Sequence, residues 1–368
     1  MLSAFIGTSL FAANANTPLN VQWSVDVDQR RPNAPAALSM PTLVSHDGDA
    51  WIVLSGRDGW AHIYDLKGKE VRRIYLGSPS DSGALTLTNG WVVVGDNTGR
   101  LLALDPVKGE IVWQSQLTGS FTSAPVAVGQ DMLVQTTDNR IYRFSQAGEK
   151  QWSYAGQGSV LSMYLSPSPM VDGERVFALL NNGDAVALKA DSGDLIWKRQ
   201  LLLSNDTAIL TDLKAPLSSP ILVSSLYMDG EKSSDTLLMP IYQGDLVAVS
   251  AKDGSQSFSL PISLKATPIV LGSTLYAAES SGFLHAYNIE KGNRLWSKKI
   301  TADELSGPVV FQDSLWLTDN KGMIYQVNLN GEVQASVALA GNISRQPLVT
   351  TAGLLVRTDR GAMYMVGK

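Results

Sequence analysis

The chain has 368 residues, 44% hydrophobic and 17% charged, which is enough apolar content to bury a large core and too much for intrinsic disorder. A net charge of -5 with no concentration of Lys or Arg lacks the field that draws proteins onto phosphate backbones, so nucleic acid is excluded as an expected partner. Cysteine is absent, which excludes disulfides, thiolate nucleophiles, thiolate metal sites and a lipid-bearing cysteine.

Residues 2–12 are apolar and small, and Ala13-Asn14-Ala15 fits the small-x-small pattern of a signal-peptidase site, predicting export and cleavage after Ala15. No Lys or Arg precedes Arg30, so the basic start of an ordinary leader is missing and the signal peptide, residues 1–15, reads as truncated. No other apolar stretch approaches the roughly 20 residues of a membrane span. The mature chain, residues 16–368, is expected as a single soluble domain in the periplasm. It is expected to be monomeric, with any membrane attachment coming through a partner.

One pattern then recurs: a small-Pro-apolar start, an apolar strand, a polar turn closing on Gly, a further strand, and a second Gly with Trp four residues later. The second unit shows it in Trp91-Val92-Val93-Val94, Asp96-Asn97-Thr98-Gly99, Leu101-Leu102-Ala103-Leu104-Asp105, Gly109 and Trp113. The first turn position recurs at Gly59, Gly99, Asn139, Gly183, Gly244, Gly282, Gly322 and Gly361, which makes eight units. The second Gly follows in seven of them, at Gly68, Gly109, Gly148, Gly193, Gly254, Gly292 and Gly331. Tight hairpins need a positive φ that glycine adopts freely and Asn tolerates, which accounts for Asn139. Runs such as Ala185-Val186-Ala187-Leu188 and Leu246-Val247-Ala248-Val249 read as short antiparallel strands. Four strands in each roughly 40-residue unit predict an all-β, eight-bladed β-propeller of four-stranded antiparallel blades.

Four residues after the second Gly stand Trp113, Trp152, Trp197 and Trp296, with Phe258 in unit five and Arg72 and Ala335 in units one and seven. A large ring recurring once per blade is predicted to pack between adjacent sheets, contributing about 1.5–3 kcal/mol or more by burial. Unit eight breaks off at Lys368 before any Trp-bearing strand, whereas Val21-Gln22-Trp23-Ser24-Val25 precedes unit one with a Trp unaccounted for. This N-terminal strand is predicted to complete the last blade, closing the ring and removing its exposed edges.

Chemistry is hard to find. His46, His62 and His285 have no metal-ligand spacing; His62 and His285 share a repeat position, but in blades one and six. Neither a nucleophile elbow nor a phosphate loop occurs, and Gly156-Gln157-Gly158 lacks the third glycine of a dinucleotide fingerprint. Asp96-Asn97-Thr98-Gly99 and Asp253-Gly254 read as hairpin turns, with no closing Glu for calcium. No catalytic, cofactor-binding or metal residue is predicted, and the chain is not expected to be an enzyme.

Departures from the repeat are the better guide to function. The 61-residue interval from Gly183 to Gly244 contains Leu201, Leu202, Leu203, Ile209, Leu210, Asp212 and Lys214. The 44-residue interval before Gly183 adds Leu161, Met163, Tyr164 and Leu165, and the segment from Tyr227 to Asp235 reads as a polar hairpin tip within blade five. These eleven residues of the two intervals are the candidate partner-binding set; their apolar members either form an exposed contact surface or fold back over the propeller.

The repeat resembles the family named for pyrroloquinoline quinone (PQQ), through Gly99-Arg100-Leu101-Leu102-Ala103-Leu104-Asp105 and Gly193-Asp194-Leu195-Ile196-Trp197, over about residues 21–368. The quinoprotein dehydrogenases of that family use a vicinal cysteine pair and a calcium site, so the lack of cysteine disfavours that activity. A propeller binding PQQ or another small molecule in its central channel remains the alternative.

More narrowly, the chain resembles the BamB family of propeller lipoproteins in the outer-membrane β-barrel assembly machinery. The resemblance rests on Leu195-Ile196-Trp197-Lys198 with its long connector to Ser218-Ser219-Pro220, and on Leu161-Ser162-Met163-Tyr164, where that family has Leu-Ser-Leu-Arg. It implies a non-catalytic scaffold whose loops, residues 157–166 and 199–217, contact the periplasmic domains of a barrel-assembly subunit. Tyr164 replaces the family's Arg, Ala215 and Leu217 replace an acidic pair, and the lipid-bearing Cys is missing. Those changes remove charge-assisted bonds and leave the apolar half of such an interface.

Overall fold

The inner strands of each repeat are apolar on both faces, and a strand of that kind must be covered on both sides. The computed structural model describes residues 19–28, 39–46, 48–158, 166–202, 214–224, 227–228, 231–232 and 235–367. Within them lie eight four-stranded antiparallel sheets arranged as propeller blades. Blade one runs Thr42–His46, Asp49–Ser55, Trp60–Asp65 and Glu70–Tyr75, each strand pairing with the next from the axis outward. Blade five adds the small ladder Tyr227–Met228 with Glu231–Lys232, where the hairpin tip is expected. The expected leader lies outside the described residues.

Burial shows how the sheets stack. Val92, Val93 and Val94 are all fully buried, whereas the outer strand Glu110–Gln116 alternates exposed and half-buried positions. Inner strands alternate by size instead: Ala185 and Ala187 face blade five, while Val186 and Leu188 face blade three. The apolar core is accordingly divided into eight clusters, one at each junction between neighbouring blades.

The recurring tryptophans fasten these junctions. Trp152, on the outer strand of blade three, lies on Gly193 in the outer turn of blade four, and its Nε1 donates to the Ala190 carbonyl at 2.9 Å. A Cβ on Gly193 would come within 2.7 Å of the ring, so the second Gly of the repeat is small because a tryptophan occupies the space above it. Trp113 over Gly148, Trp197 over Gly254 and Trp296 over Gly331 repeat the contact. Arg72 lays its side chain over Gly109 in the same way. Phe258 does not reach its counterpart, since nothing lies within 4 Å of the Cβ position of Gly292.

The ring closes as the sequence predicts. Asn20–Asp26 pairs antiparallel with Ala362–Gly367 as the outer strand of blade eight. Trp23 then sits on Gly68 of blade one and donates to the Leu66 carbonyl at 2.9 Å. Immediately beyond, the buried Asp28 carboxylate accepts two bonds from Arg357 Nη2, both 2.8 Å, and a third from the Arg57 amide at 2.8 Å. Arg357 also donates to the Ser39 hydroxyl and to the Ser55 carbonyl of blade one.

One turn departs from expectation. The positive φ expected at Gly244 is carried by Gln243 (φ 55), beside the antiparallel bridge that joins Tyr242 to Ala215. The returning end of the long connector is thus tied into the turn of blade five.

Candidate partner-binding face

Strand order fixes which loops share an end of the ring. In an antiparallel four-stranded blade, the turn between the second and third strands and the connector to the next blade lie at the same end. The hydrogen bonds agree: the first connector residue donates its amide to the turn glycine at Leu76 to Gly59, Leu117 to Gly99 and Leu339 to Gly322, each 2.8 Å. Both long interruptions are connectors of this kind, one entering blade four and one leaving it.

Leu201 occupies the same repeat position as Leu76 and Leu339, with its amide on the Gly183 carbonyl at 2.9 Å. It is half-buried against the junction of blades four and five, so it belongs to the fold as much as to any contact surface. Leu202 is also half-buried and sits directly over the Gly183 turn, where an added Cβ would meet the Leu202 Cβ at 2.5 Å. Lys214 is exposed at the other end of the connector, next to the Ala215–Tyr242 bridge. Leu161, Met163, Tyr164, Leu165, Leu203, Ile209, Leu210 and Asp212 lie outside the described residues.

The shorter interruption is anchored equally firmly. Gly156 donates to the Asn139 carbonyl at 2.9 Å, and Asn139 Nδ2 holds the Gln157 carbonyl at 2.8 Å. On the far side, Ser166 donates its amide to Thr122 Oγ1 at 2.8 Å. Asn181 then joins the two turns, its amide bonding Asn139 Oδ1 at 2.7 Å. Charge is also organised here: Lys198, on the last strand before the long connector, reaches the buried Asp184 at 2.8 Å, and this hydrogen bond raises the ammonium above its ordinary value.

Between the anchors, the same end of the ring opens into an axial cavity of about 420 Å³. The opening residues of all eight blades line it, from Met40 of blade one and Gly83 of blade two to Arg345 of blade eight. Tyr242 and Lys265 stand at its wall, sharing Glu304 at 3.3 Å and 3.0 Å. Burial raises the Tyr242 phenol, with the Glu304 carboxylate adding to the effect. The wall is assembled from the starts of eight separate blades, so no single contiguous motif marks it.

The two histidines of the shared repeat position are structural. His62 bridges Asp58 and Glu70 at 3.0 Å and 2.8 Å, and His285 bonds Glu279 at 2.9 Å. Burial opposes charge on His62, but the two carboxylates outweigh it and hold the imidazole above its ordinary value. No described helix is long and apolar enough to cross a membrane.

Comparison with known proteins follows the same lines. The family model described as outer membrane protein assembly factor BamB matches residues 20–255 and 217–334. Outer membrane protein assembly factor BamB of Bordetella pertussis is 22% identical over 319 residues, covering 85% of this chain and 76% of that one. Among solved structures, BamB from Moraxella catarrhalis superposes with a TM-score of 0.79 at 19% identity, over 95% of this chain and 100% of the other. A europium-containing methanol dehydrogenase shares the fold at a TM-score of 0.71 and 12% identity, over 92% of this chain and 84% of that one.

Proposed function

The chain belongs to the family of outer membrane protein assembly factor BamB, and from that premise we propose that it is a non-catalytic periplasmic scaffold for a protein partner. The partner in this reading is the periplasmic part of a β-barrel assembly subunit, docked on the face that carries residues 157–166 and 199–217. One observation carries the reading. Two long connectors, one entering and one leaving blade four, flank that single blade at one end of the ring, each leaving from anchors that the regular repeat already supplies. Insertions placed side by side on a rigid support suit recognition by loops. The likeness to a methanol dehydrogenase concerns the fold alone, and a chain without cysteine has no vicinal cysteine pair.

Photocrosslinking from position 202 or 214 in periplasm, with identification of the captured protein, tests the proposal. Capture of a barrel-assembly subunit is the expected result. Leu161→Asp and Leu202→Asp should each weaken its binding by about tenfold or more, because a charge introduced into an apolar contact is poorly tolerated. Leu329→Asp, in an exposed turn at the opposite end of the ring, should leave binding unchanged. The melting temperature of each variant separates lost binding from lost fold. Capture of no such subunit, or equal binding by the Leu161 and Leu202 variants, would overturn the reading.

A further inference from the structure

The repeat allows the rim of one blade to be compared with the others. Trp60 follows the turn glycine of blade one and pairs across the ladder with Tyr75, the last residue of the outer strand. Six other blades place Gln116, Ala155, Gln200, Lys299, Ala338 and Asp26 where blade one has Tyr75. A polar or small residue satisfies the fold at this position, so the second ring is not something the propeller itself requires. Tyr75 is also 58% exposed, more than any other large apolar side chain among the described residues.

The two ring centroids lie 4.9 Å apart at an interplanar angle of 51°, and the Arg73 guanidinium stands 4.9 Å from the centre of the Trp60 ring. Tyr75 rests on the turn, its Cε2 3.7 Å from the Cβ position of Gly59, which places the pair at the end of the ring that carries the long connectors. The tryptophans that fasten blades donate Nε1 to a neighbouring carbonyl, as Trp23 and Trp152 do. Among the described residues the Trp60 indole N–H, the Tyr75 hydroxyl and the Arg73 guanidinium have no such acceptor, and Arg73 has no ion pair. The carboxylates beside them are already engaged. His62 bridges Asp58 and Glu70, and Asp58 also accepts the Trp60 amide at 3.1 Å. The patch thus presents aromatic faces, hydrogen-bond donors and a cation without a counter-ion.

We propose that this rim of blade one docks an extended, proline-containing segment of another protein that carries an acidic residue beside its prolines. A polyproline II chain makes no internal hydrogen bonds, so its carbonyls need donors, and its prolines bring none of their own. Trp60 Nε1 and the Tyr75 hydroxyl supply those donors, while the two ring faces receive a proline ring. Arg73 pairs with the acidic residue through a charge-assisted bond. A glycan would bring hydroxyl donors that need acceptors, and the neighbouring acceptors are the ones His62 engages. The site is three blades removed from blade four and does not depend on the scaffold reading.

Fluorescence anisotropy of a labelled proline decapeptide with one central Asp, titrated with the purified full chain at low salt, tests the assignment. Calorimetry with a chito-oligosaccharide is the glycan arm. Saturable binding of the peptide, with no heat from the sugar, is the expected result. Tyr75→Gln installs the residue that blades two and four carry, so it should keep the melting temperature while weakening binding by about tenfold or more. Arg73→Gln should weaken it by roughly threefold to tenfold, and should leave unchanged the binding of a peptide with Asn in place of Asp. Lys67→Gln, in the exposed outer turn at the opposite end of the same blade, should have no effect. Absence of saturable peptide binding, undiminished affinity in the Tyr75→Gln protein, or binding of the sugar in place of the peptide would overturn the proposal.

Discussion

The junction between blades eight and one and the junction between blades five and six bury comparable apolar clusters, yet they are fastened very differently. The first carries an inter-blade tryptophan over Gly68 and the buried Asp28–Arg357 pair, and blade eight itself is completed only by the ladder of Asn20–Asp26 on Ala362–Gly367. The second has Phe258 in place of the tryptophan, and Gly292 stands clear of any neighbour. The tryptophan recurs at junctions the chain also joins, so it is the Asp28–Arg357 pair that sets the first apart, and this follows from covalent continuity. Successive strands of blades one to seven are joined by the chain, whereas the outer strand of blade eight comes from the other end of the sequence and is held there by non-covalent bonds alone. Where connectivity is missing, specific contacts take its place.

The sharpest way to break the comparison is to delete residues 16–28. This removes a strand, Trp23 and Asp28 together and strands Arg357 in the interior. A loss above about 5 kcal/mol is expected, as a collapse of the melting transition, and an unchanged melting temperature would refute the closure account. Asp28→Ala alone leaves Arg357 buried without its carboxylate and should cost about 3–5 kcal/mol in denaturant unfolding. Trp152→Ala opens a cavity over Gly193 and leaves the Ala190 carbonyl with Arg143 as its remaining donor, at about 3 kcal/mol. Phe258→Ala, where the ring reaches no glycine, should cost only about 1–2 kcal/mol, so equal losses in these last two variants would erase the distinction between the junctions.

The smallest effect is a pH dependence in blade one. His62 is held above its ordinary value of 6.5 by Asp58 and Glu70, so its contribution is complete below that pH. It fades as pH rises through the elevated folded value, by about 1 kcal/mol because both carboxylates are partly exposed. His62→Gln should flatten the difference between melting curves taken at pH 6 and pH 9. A variant that keeps the full slope would assign it to other groups.

Much of this architecture was legible in the sequence, because what repeats is local. Eight turn positions count the blades, and the unassigned Trp23 beside a unit lacking its last strand locates the closure. The fastening of that closure was not legible, since Asp28 and Arg357 stand 329 residues apart and no other blade has an arginine at the repeat position of Arg357. The cavity wall was equally hidden, since its residues come together only once the blade starts are seen to face one axis. Of the candidate contact residues, Leu201 turned out to hold a position that the repeat itself uses, as Leu76 and Leu339 do. The apolar pattern of a connector does not separate a side chain that caps its own blade from one that is available to a partner.

The pairing of Asn20 with Gly367 has a topological consequence. With these two residues opposite each other on adjacent strands, a short hairpin joining them would make blade eight continuous, and the ring could be reopened at another outer turn, such as the exposed one at Val107. The molecule is in this sense a circle written from an arbitrary starting letter. A permuted gene would transfer the task of closure to whichever blade was cut.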